Sequence, residues 1–289
     1  MALPKRLLEE KLKSFIEEDI GQGDLTTLST VPSGVTAKAQ ILAKESGVIA
    51  GVEEAQILLE SVDLKTKLFI KDGAKIKAGT VIMEILGDAR TILMVERTLL
   101  NIVSRMSGIA TETNKLIKKI ESAGYTTKVA STRKTAPGLL YFDKKAVMIG
   151  GGDTHRLHLD DLILIKDNHL KIAGSIVNAI KNARQTASFT KKIEVEVTTS
   201  ADAVKASKTG VDIVMLDNMT PNQIKETIKK LEKQKLRSKI LIEVSGGITE
   251  ENILDYAAAK PDIISLGAIT ASPRSLDISL DVVEVVLRK

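Results

Sequence analysis

Three short runs of this 289-residue chain concentrate side chains that bind oxyanions. STRKTAPG holds Arg133 and Lys134, GGGDTHR holds His155 and Arg156, and LIKDNH holds Lys166 and His169. Guanidinium forks match carboxylates bidentately, and a lysine ammonium acts as a point charge for phosphate. Gly150, Gly151 and Gly152 let the backbone approach a ligand closely. Carboxylates follow on strand-like runs: Glu194 and Glu196 in IEVEV, Asp217 in IVMLD, Glu243 in LIEVSGG. Such groups suit Mg²⁺, which takes one or two carboxylates plus substrate phosphates. The SGG run (Ser245, Gly246, Gly247) and the LGA run (Gly267) each feed a helical segment, where backbone N–H groups can hold a phosphate. The residues therefore read as a basic pocket for a poly-acid beside a Mg²⁺-phosphate region. All three histidines lie between positions 155 and 169. Arg156 and Lys166 would repel zinc there, and no helical His pair with a nearby glutamate is present. His158 and His169 read as structural groups.

What must position these residues is a change of grammar along the chain. Up to about Gly87 the pattern is a small α+β unit. A helix over Pro4–Glu18 is followed by strands over Val35–Ala43 and Lys65–Ile70, a short helix over Val52–Leu59, and turns at Asp72–Gly73 and Gly79. A long helix over Arg90–Ser122 comes next, with Gly108 as its weak point. Strand-like runs then alternate with helices: TTKVAS, LILIKD, KIEVEVT, DIVMLDN, KILIEVSGG and DIISLGA, separated by helices that include Ser175–Ala187, Ala201–Lys208, Pro221–Lys233 and Glu250–Ala259. Such alternation implies parallel strands with right-handed crossovers. Six or seven units suggest a barrel, complete or open, with chemistry at the C-terminal strand ends. Period two puts Glu194 with Glu196, Asp217 with Met215, and Glu243 with Ser245 on lumen faces. Any one strand-end carboxylate is as often merely salt-bridged; five consecutive strands ending in polar groups or glycine point to a site.

Composition narrows the classes. Lys+Arg 42 against Asp+Glu 37 gives a net charge of +5, and aromatic residues make up 2% with no Trp. Without stacking platforms, single-stranded nucleic acid is not the expected partner. The absence of cysteine excludes disulfides, thiolate metal sites and a cysteine nucleophile. No run reaches the roughly 18 apolar residues of a membrane span, and the start has no signal-like apolar run, so a cytoplasmic location is expected.

The runs VERTLLNIVSRMSGIAT, STRKTAPG, GGGDTHR, LIKDNH, IEVEV, VMLDN, EVSGGI and SLGAIT, in this order, resemble the quinolinate phosphoribosyltransferases (nicotinate-nucleotide pyrophosphorylase, carboxylating) over nearly the whole chain. The resemblance implies an α/β fold: an open seven-stranded α/β barrel (TIM-like) with an N-terminal α/β sandwich domain. Residues 1–112 would form the sandwich, completed by the C-terminal segment 272–289, and residues 113–271 the barrel. It further implies transfer of a phosphoribosyl group from phosphoribosyl pyrophosphate to quinolinate, with decarboxylation, in a homodimer or an assembly of dimers. Quinolinate would be held by Arg133, His155, Arg156 and Lys166, with Arg97 entering from the neighbouring subunit. Lys134, Glu196 and Asp217 would hold phosphoribosyl pyrophosphate and its Mg²⁺, with Glu196 and Asp217 as the metal ligands. Ser245, Gly246, Gly247 and Gly267 would cradle the 5′-phosphate. Lys134, Lys166, Glu196 and Asp217 are the implied catalytic set. Ala271 and Leu140 stand where some members carry histidine and arginine, so contacts from those two positions are not carried over. Other readings of the same residues are a sister phosphoribosyltransferase acting on nicotinate or another acid, a Schiff-base barrel aldolase with Lys166 as nucleophile, and an acid-binding protein without turnover. Four cations, Arg97, Arg133, Arg156 and Lys166, favour a substrate with two carboxylates.

Overall fold

The structure, a computed structural model, describes residues 3–286; residues 1–2 and 287–289 of the expected sandwich domain lie outside the described residues. The chain divides into two compact units. The first comprises the described residues up to Glu112, then Tyr141–Gly150, then those from Pro273 on. Helix α1 (Lys5–Ile20) buries Leu8, Leu12 and Ile16, one residue per turn on a single stripe. Asp24 caps α2 (Leu25–Thr30) by accepting from the Thr27 N–H. Strand β1 (Thr36–Ala43) alternates strictly, burying Ala37, Ala39, Ile41 and Ala43. Then follow β2 (Gly47–Val48), α3 (Val52–Glu60), β3 (Lys65–Leu68), β4 (Lys75–Ile76) and β5 (Val81–Asp88).

Helix α4 (Ala89–Ser122) runs 34 residues without interruption. The expected weak point at Gly108 is no break. A Cβ there would lie 1.8 Å from the Arg274 carbonyl oxygen, so the glycine serves a close backbone approach.

The second unit is Thr113–Leu140 plus Gly151–Ser272. Its strand β6 (Lys128–Ser131) is followed in the chain by α5 (Leu140–Ile149), most of which belongs to the first unit. The barrel bounds that the resemblance implies, 113–271, take in this segment. Its charges explain the difference. Asp143 is fully buried and takes a bidentate fork from Arg105, with Nε–Oδ1 2.7 Å and Nη2–Oδ2 2.9 Å. Lys145 donates to Glu54 at 2.7 Å and also pairs with Glu53. These partners all lie in the first unit, and α5 contributes charges to them that a one-helix reading cannot see.

Strands β7 (Ile163–Ile165), β8 (Ile193–Val197), β9 (Ile213–Asp217), β10 (Leu241–Ser245) and β11 (Ile263–Leu266) complete a six-stranded sheet in the order β6-β11-β10-β9-β8-β7, every pairing parallel. Asp153 adds a single parallel bridge to Ala130 of β6. Six strands stand where the resemblance implies seven, and among the described residues nothing pairs this edge with β7, so the sheet stays open. The crossovers carry α7 (Ile176–Thr186), α8 (Ser200–Thr209), α9 (Pro221–Lys233) and α10 (Ile253–Ala257). Ser175, Thr199 and Thr220 cap the first three, each accepting from the backbone N–H three residues on. Helix α10 is shorter than the expected Glu250–Ala259. Two short helices not read from the sequence, α6 (Asp167–Ala173) and α11 (Ala268–Ala271), start directly after β7 and β11. The chain then returns to the first unit, where β12 (Ile278–Val286) pairs antiparallel with β1, giving the sheet order β12-β1-β5-β3.

Candidate functional site at the strand ends of the parallel sheet

The sheet register lines up the polar residues. Glu196 pairs with Met215, Met215 with Glu243, and one pleat further along Asp217 pairs with Ser245 and Ser245 with Ser265. The opposite-parity residues Ile193, Val195 and Val197 are buried. At the end of β7, Lys166 donates to Glu196 Oε2 at 2.5 Å, joining two residues 30 positions apart. Burial raises the Asp217 pKa, and the Glu196 charge raises it further. The Asn218 hydrogen bond, Lys166 and Lys134 pull it back. Glu196, Asp217, Lys134 and Lys166 therefore share one electrostatic neighbourhood.

Next to Asp217 the turns interlock. Asn218 takes a left-handed backbone (φ 52), donates its side-chain amide to Asp217 Oδ2 at 2.6 Å, and donates its N–H to the Ser245 carbonyl at 2.9 Å. Gly246 (φ 93) packs on Asn218, whose Oδ1 would lie 2.3 Å from a Cβ placed there. Gly247 is also left-handed but open to solvent. A Cβ at Gly267 would lie 2.9 Å from Lys134 Cδ, so the glycine makes room for that lysine stem. The Thr270 hydroxyl donates to the Lys134 carbonyl at 2.8 Å and steadies the loop. Sequence reasoning missed Asn218; an asparagine directly after a strand-end aspartate, a residue type that tolerates the left-handed region, was the available signal.

The basic side is assembled by the 151–162 loop. Asp153 pairs on β6 and accepts the His155 N–H at 2.7 Å, and His155 adopts φ 53. Asp161 accepts the N–H groups of Leu157 and His158 at 2.7 and 3.0 Å. These hydrogen bonds hold its carboxyl below the usual range. Arg156 is half-buried, and its pKa is lowered first by burial and then by the like charge of Arg133. Arg133 and Lys134 are exposed. His158 and His169 are exposed as well; the His169 ring accepts the Lys166 N–H at 3.0 Å and helps start α6. Arg97 is exposed on α4, within the first unit.

Beneath the basic loop lies a buried trio. Glu194 and Glu243 are 0% and 1% exposed. His155 Nε2 is 3.1 Å from Glu243 Oε2 and 3.5 Å from Glu194 Oε2. Burial acts most strongly on His155 and would lower its pKa, but the two carboxylates outweigh it and push the ring up to about 10. Burial dominates at Glu194 and raises its pKa. The Nδ1 atom lies 2.7 Å from the Arg156 backbone nitrogen and accepts its N–H when the ring is protonated at Nε2 alone. In either ring form the Nε2 proton faces the glutamates. Strand parity put both glutamates in the lumen; that a histidine from a distant loop meets them is a tertiary fact.

Residues 24–107 match the family model described as quinolinate phosphoribosyl transferase, N-terminal domain, and residues 109–281 match that of its C-terminal domain. A Methanocaldococcus jannaschii protein named probable nicotinate-nucleotide pyrophosphorylase [carboxylating] is 48% identical over 274 residues, covering 94% of this chain and 96% of its own length. The Homo sapiens nicotinate-nucleotide pyrophosphorylase [carboxylating] is 34% identical over 280 residues, covering 97% and 93%. The crystal structure of NadC from Streptococcus pyogenes superposes with a TM-score of 0.89 at 36% identity, over 98% of this chain and 100% of that one.

Proposed function

This chain belongs to the quinolinate phosphoribosyltransferase family, and from that premise we propose how its strand-end residues carry out the reaction. The protein transfers the phosphoribosyl group of phosphoribosyl pyrophosphate to the ring nitrogen of quinolinate, releasing pyrophosphate and CO₂ and leaving nicotinate mononucleotide for NAD biosynthesis. The observation that supports the residue assignment is the convergence of charged groups at the strand ends. Lys166 and Lys134 act on the Glu196 and Asp217 carboxylates at neighbouring strand ends, while the Arg133 charge acts on Arg156.

Arg133 and Arg156 orient the two carboxylates of quinolinate, so that the pyridine nitrogen faces C1 of the ribosyl group. Positioning of this kind lowers the barrier because little reorganisation remains at the moment of attack. Lys166, held by Glu196, supplies a further cation for the acid. Lys134 reaches past Gly267 to the pyrophosphoryl group, and the Ser245–Gly247 turn offers backbone N–H groups to the 5′-phosphate. Pyrophosphate departs with the C1–O bond electrons, and Glu196 and Asp217 lie where negative charge stabilises the oxocarbenium-like sugar. After the nitrogen–C1 bond forms, the 2-carboxylate leaves as CO₂. The electron pair left on C2 is held as an ylide by the adjacent ring cation until a proton replaces it.

The donor set also fits Mg²⁺: two carboxylates at adjacent strand ends are hard oxygen ligands whose mutual repulsion a divalent cation relieves. When bound there, the ion neutralises charge that develops on the leaving pyrophosphate. We further assign a homodimer in which Arg97 completes the partner's acid site, and a cytoplasmic location; among the described residues no helix is long and apolar enough to cross a membrane.

The test is release of CO₂ and pyrophosphate from quinolinate plus phosphoribosyl pyrophosphate, with and without Mg²⁺, and with nicotinate as the control acid. Turnover of nicotinate in preference to quinolinate would overturn the substrate assignment. For the shared site, inactive Arg97→Ala and Lys166→Ala proteins are mixed under conditions of subunit exchange. Partial recovery of activity is expected, and none would refute the trans role of Arg97.

A further inference from the structure

We propose that Glu194 and Glu243 are positioning residues of the acid-binding corner, acting through the His155 ring on Arg156. The inference rests on the reading above, in which Arg156 grips a substrate carboxylate.

Both glutamates occupy lumen positions of the barrel, on either side of β9. Their register partners on β9 are Ile213 and Met215, apolar side chains of the kind that normally fill a barrel interior. A carboxylate at such a position is costly unless something compensates it. Yet both oxygens of Glu194 and Oε1 of Glu243 have no hydrogen-bond partner, and Oε2 of Glu243 lies 3.1 Å from the His155 ring nitrogen. The one group both carboxylates converge on is Nε2 of that ring.

His155 is placed to pass this on. Its other nitrogen, Nδ1, accepts the Arg156 N–H at 2.7 Å. The ring is thus engaged at both ends, with the acidic floor of the barrel below and the Arg156 backbone beside it. Residue 155 also sits at φ 53, a region that non-glycine residues occupy at an energetic cost and that persists only where surrounding contacts hold it. Two such contacts are present: the Asp153 carboxylate on the His155 N–H, and the glutamate pair on the ring. The Glu194 charge also acts directly on Arg156, where it favours the guanidinium. Arg156 therefore inherits its direction from two glutamates that need not touch the substrate.

The experiment uses the full-length protein and the variants Glu194→Gln, Glu243→Gln and Glu243→Leu. KM and kcat are measured separately for quinolinate and phosphoribosyl pyrophosphate. Thermal unfolding is followed in parallel, and the His155 Nε2–H resonance is observed by ¹H–¹⁵N NMR. The Gln variants should raise the quinolinate KM roughly 10- to 100-fold, as expected when a hydrogen bond to a charged group is weakened. The phosphoribosyl pyrophosphate KM should stay within about twofold, because phosphate contacts come from other loops. Glu243→Leu should lose the slowly exchanging Nε2–H signal and show the largest quinolinate defect. Its unfolding temperature should be unchanged or higher, because one of two mutually repelling buried carboxylates is removed while the His155 ring keeps Glu194. A merely structural role predicts the reverse, namely lost stability with equal losses for both substrates, and that pattern would overturn the proposal. So would an unchanged quinolinate KM in all three variants. Stoichiometric retention of a divalent metal by the wild-type protein, abolished in Glu243→Gln, would also overturn it by making the trio a metal site. If wild-type protein fails to turn over quinolinate, the functional reading falls, while the Nε2–H signal and its loss in Glu243→Leu still decide whether the glutamates hold the ring.

Discussion

Gly246 and Gly247 allow the phosphate turn to be tested with two almost identical substitutions. Both glycines are left-handed, at φ 93 and φ 64. A left-handed conformation costs an L-residue about 1–2 kcal/mol. Part of this, about 0.4–1 kcal/mol, is returned by the lower entropy of the unfolded alanine chain. Gly247→Ala meets nothing within 4 Å, so its net cost should be about 1 kcal/mol. Gly246→Ala carries the same conformational cost plus a collision. Its Cβ would lie 2.3 Å from Asn218 Oδ1, 2.7 Å from Cγ and 2.9 Å from the backbone nitrogen. The amide oxygen could swing aside, but the backbone nitrogen is held by its hydrogen bond to the Ser245 carbonyl. Overpacking of this kind adds about 1–3 kcal/mol, for a total of about 2–4 kcal/mol. Relief of the collision must also move the Asn218 amide off Asp217 Oδ2. Urea unfolding should therefore show Gly246→Ala less stable than Gly247→Ala by about 1–3 kcal/mol, and the phosphoribosyl pyrophosphate KM should rise more in Gly246→Ala. Equal stabilities and equal KM values for the two variants would refute the argument that Asn218 and the turn form one packed unit.

Asp143→Ala should destabilise by about 3–5 kcal/mol, because it removes the fully buried carboxylate that takes the Arg105 fork. The double variant Arg105→Met/Asp143→Leu should recover most of that in the same unfolding assay. Arg156→Lys should weaken quinolinate about 10- to 100-fold through loss of the planar fork, with little change for phosphoribosyl pyrophosphate; equal losses would count against its role. The Asp161 pKa is lowered in the folded protein, so its hold on the 157–161 turn is complete above the unfolded value near 3.8 and is released as pH falls through the lower folded value. Amide exchange at Leu157 and His158 should accelerate only in that acid window, and Asp161→Ala should show fast exchange at every pH.

How much was legible in the sequence follows from what each feature depends on. Alternation of period two was enough to turn Glu194, Glu196, Asp217 and Glu243 into the barrel lumen, because a strand's own pleat decides which face a side chain takes. The strand–helix rhythm likewise determined a parallel α/β sheet, and the motifs brought out Arg133, Arg156 and Lys166. Helix α5 was different: Asp143, Lys144 and Lys145 look like a solvated face in one dimension, yet all three are buried in the first unit. Gly108 reads as a weak point of its helix in the sequence, whereas in the structure it admits the Arg274 carbonyl, 166 positions along the chain. The meeting of His155 with Glu194 and Glu243, and of Lys166 with Glu196, also came only from the tertiary structure. Local patterns state a residue's conformation and face. Which groups lie within hydrogen-bond reach is decided by strand order and register, and those are set by packing over the whole sheet.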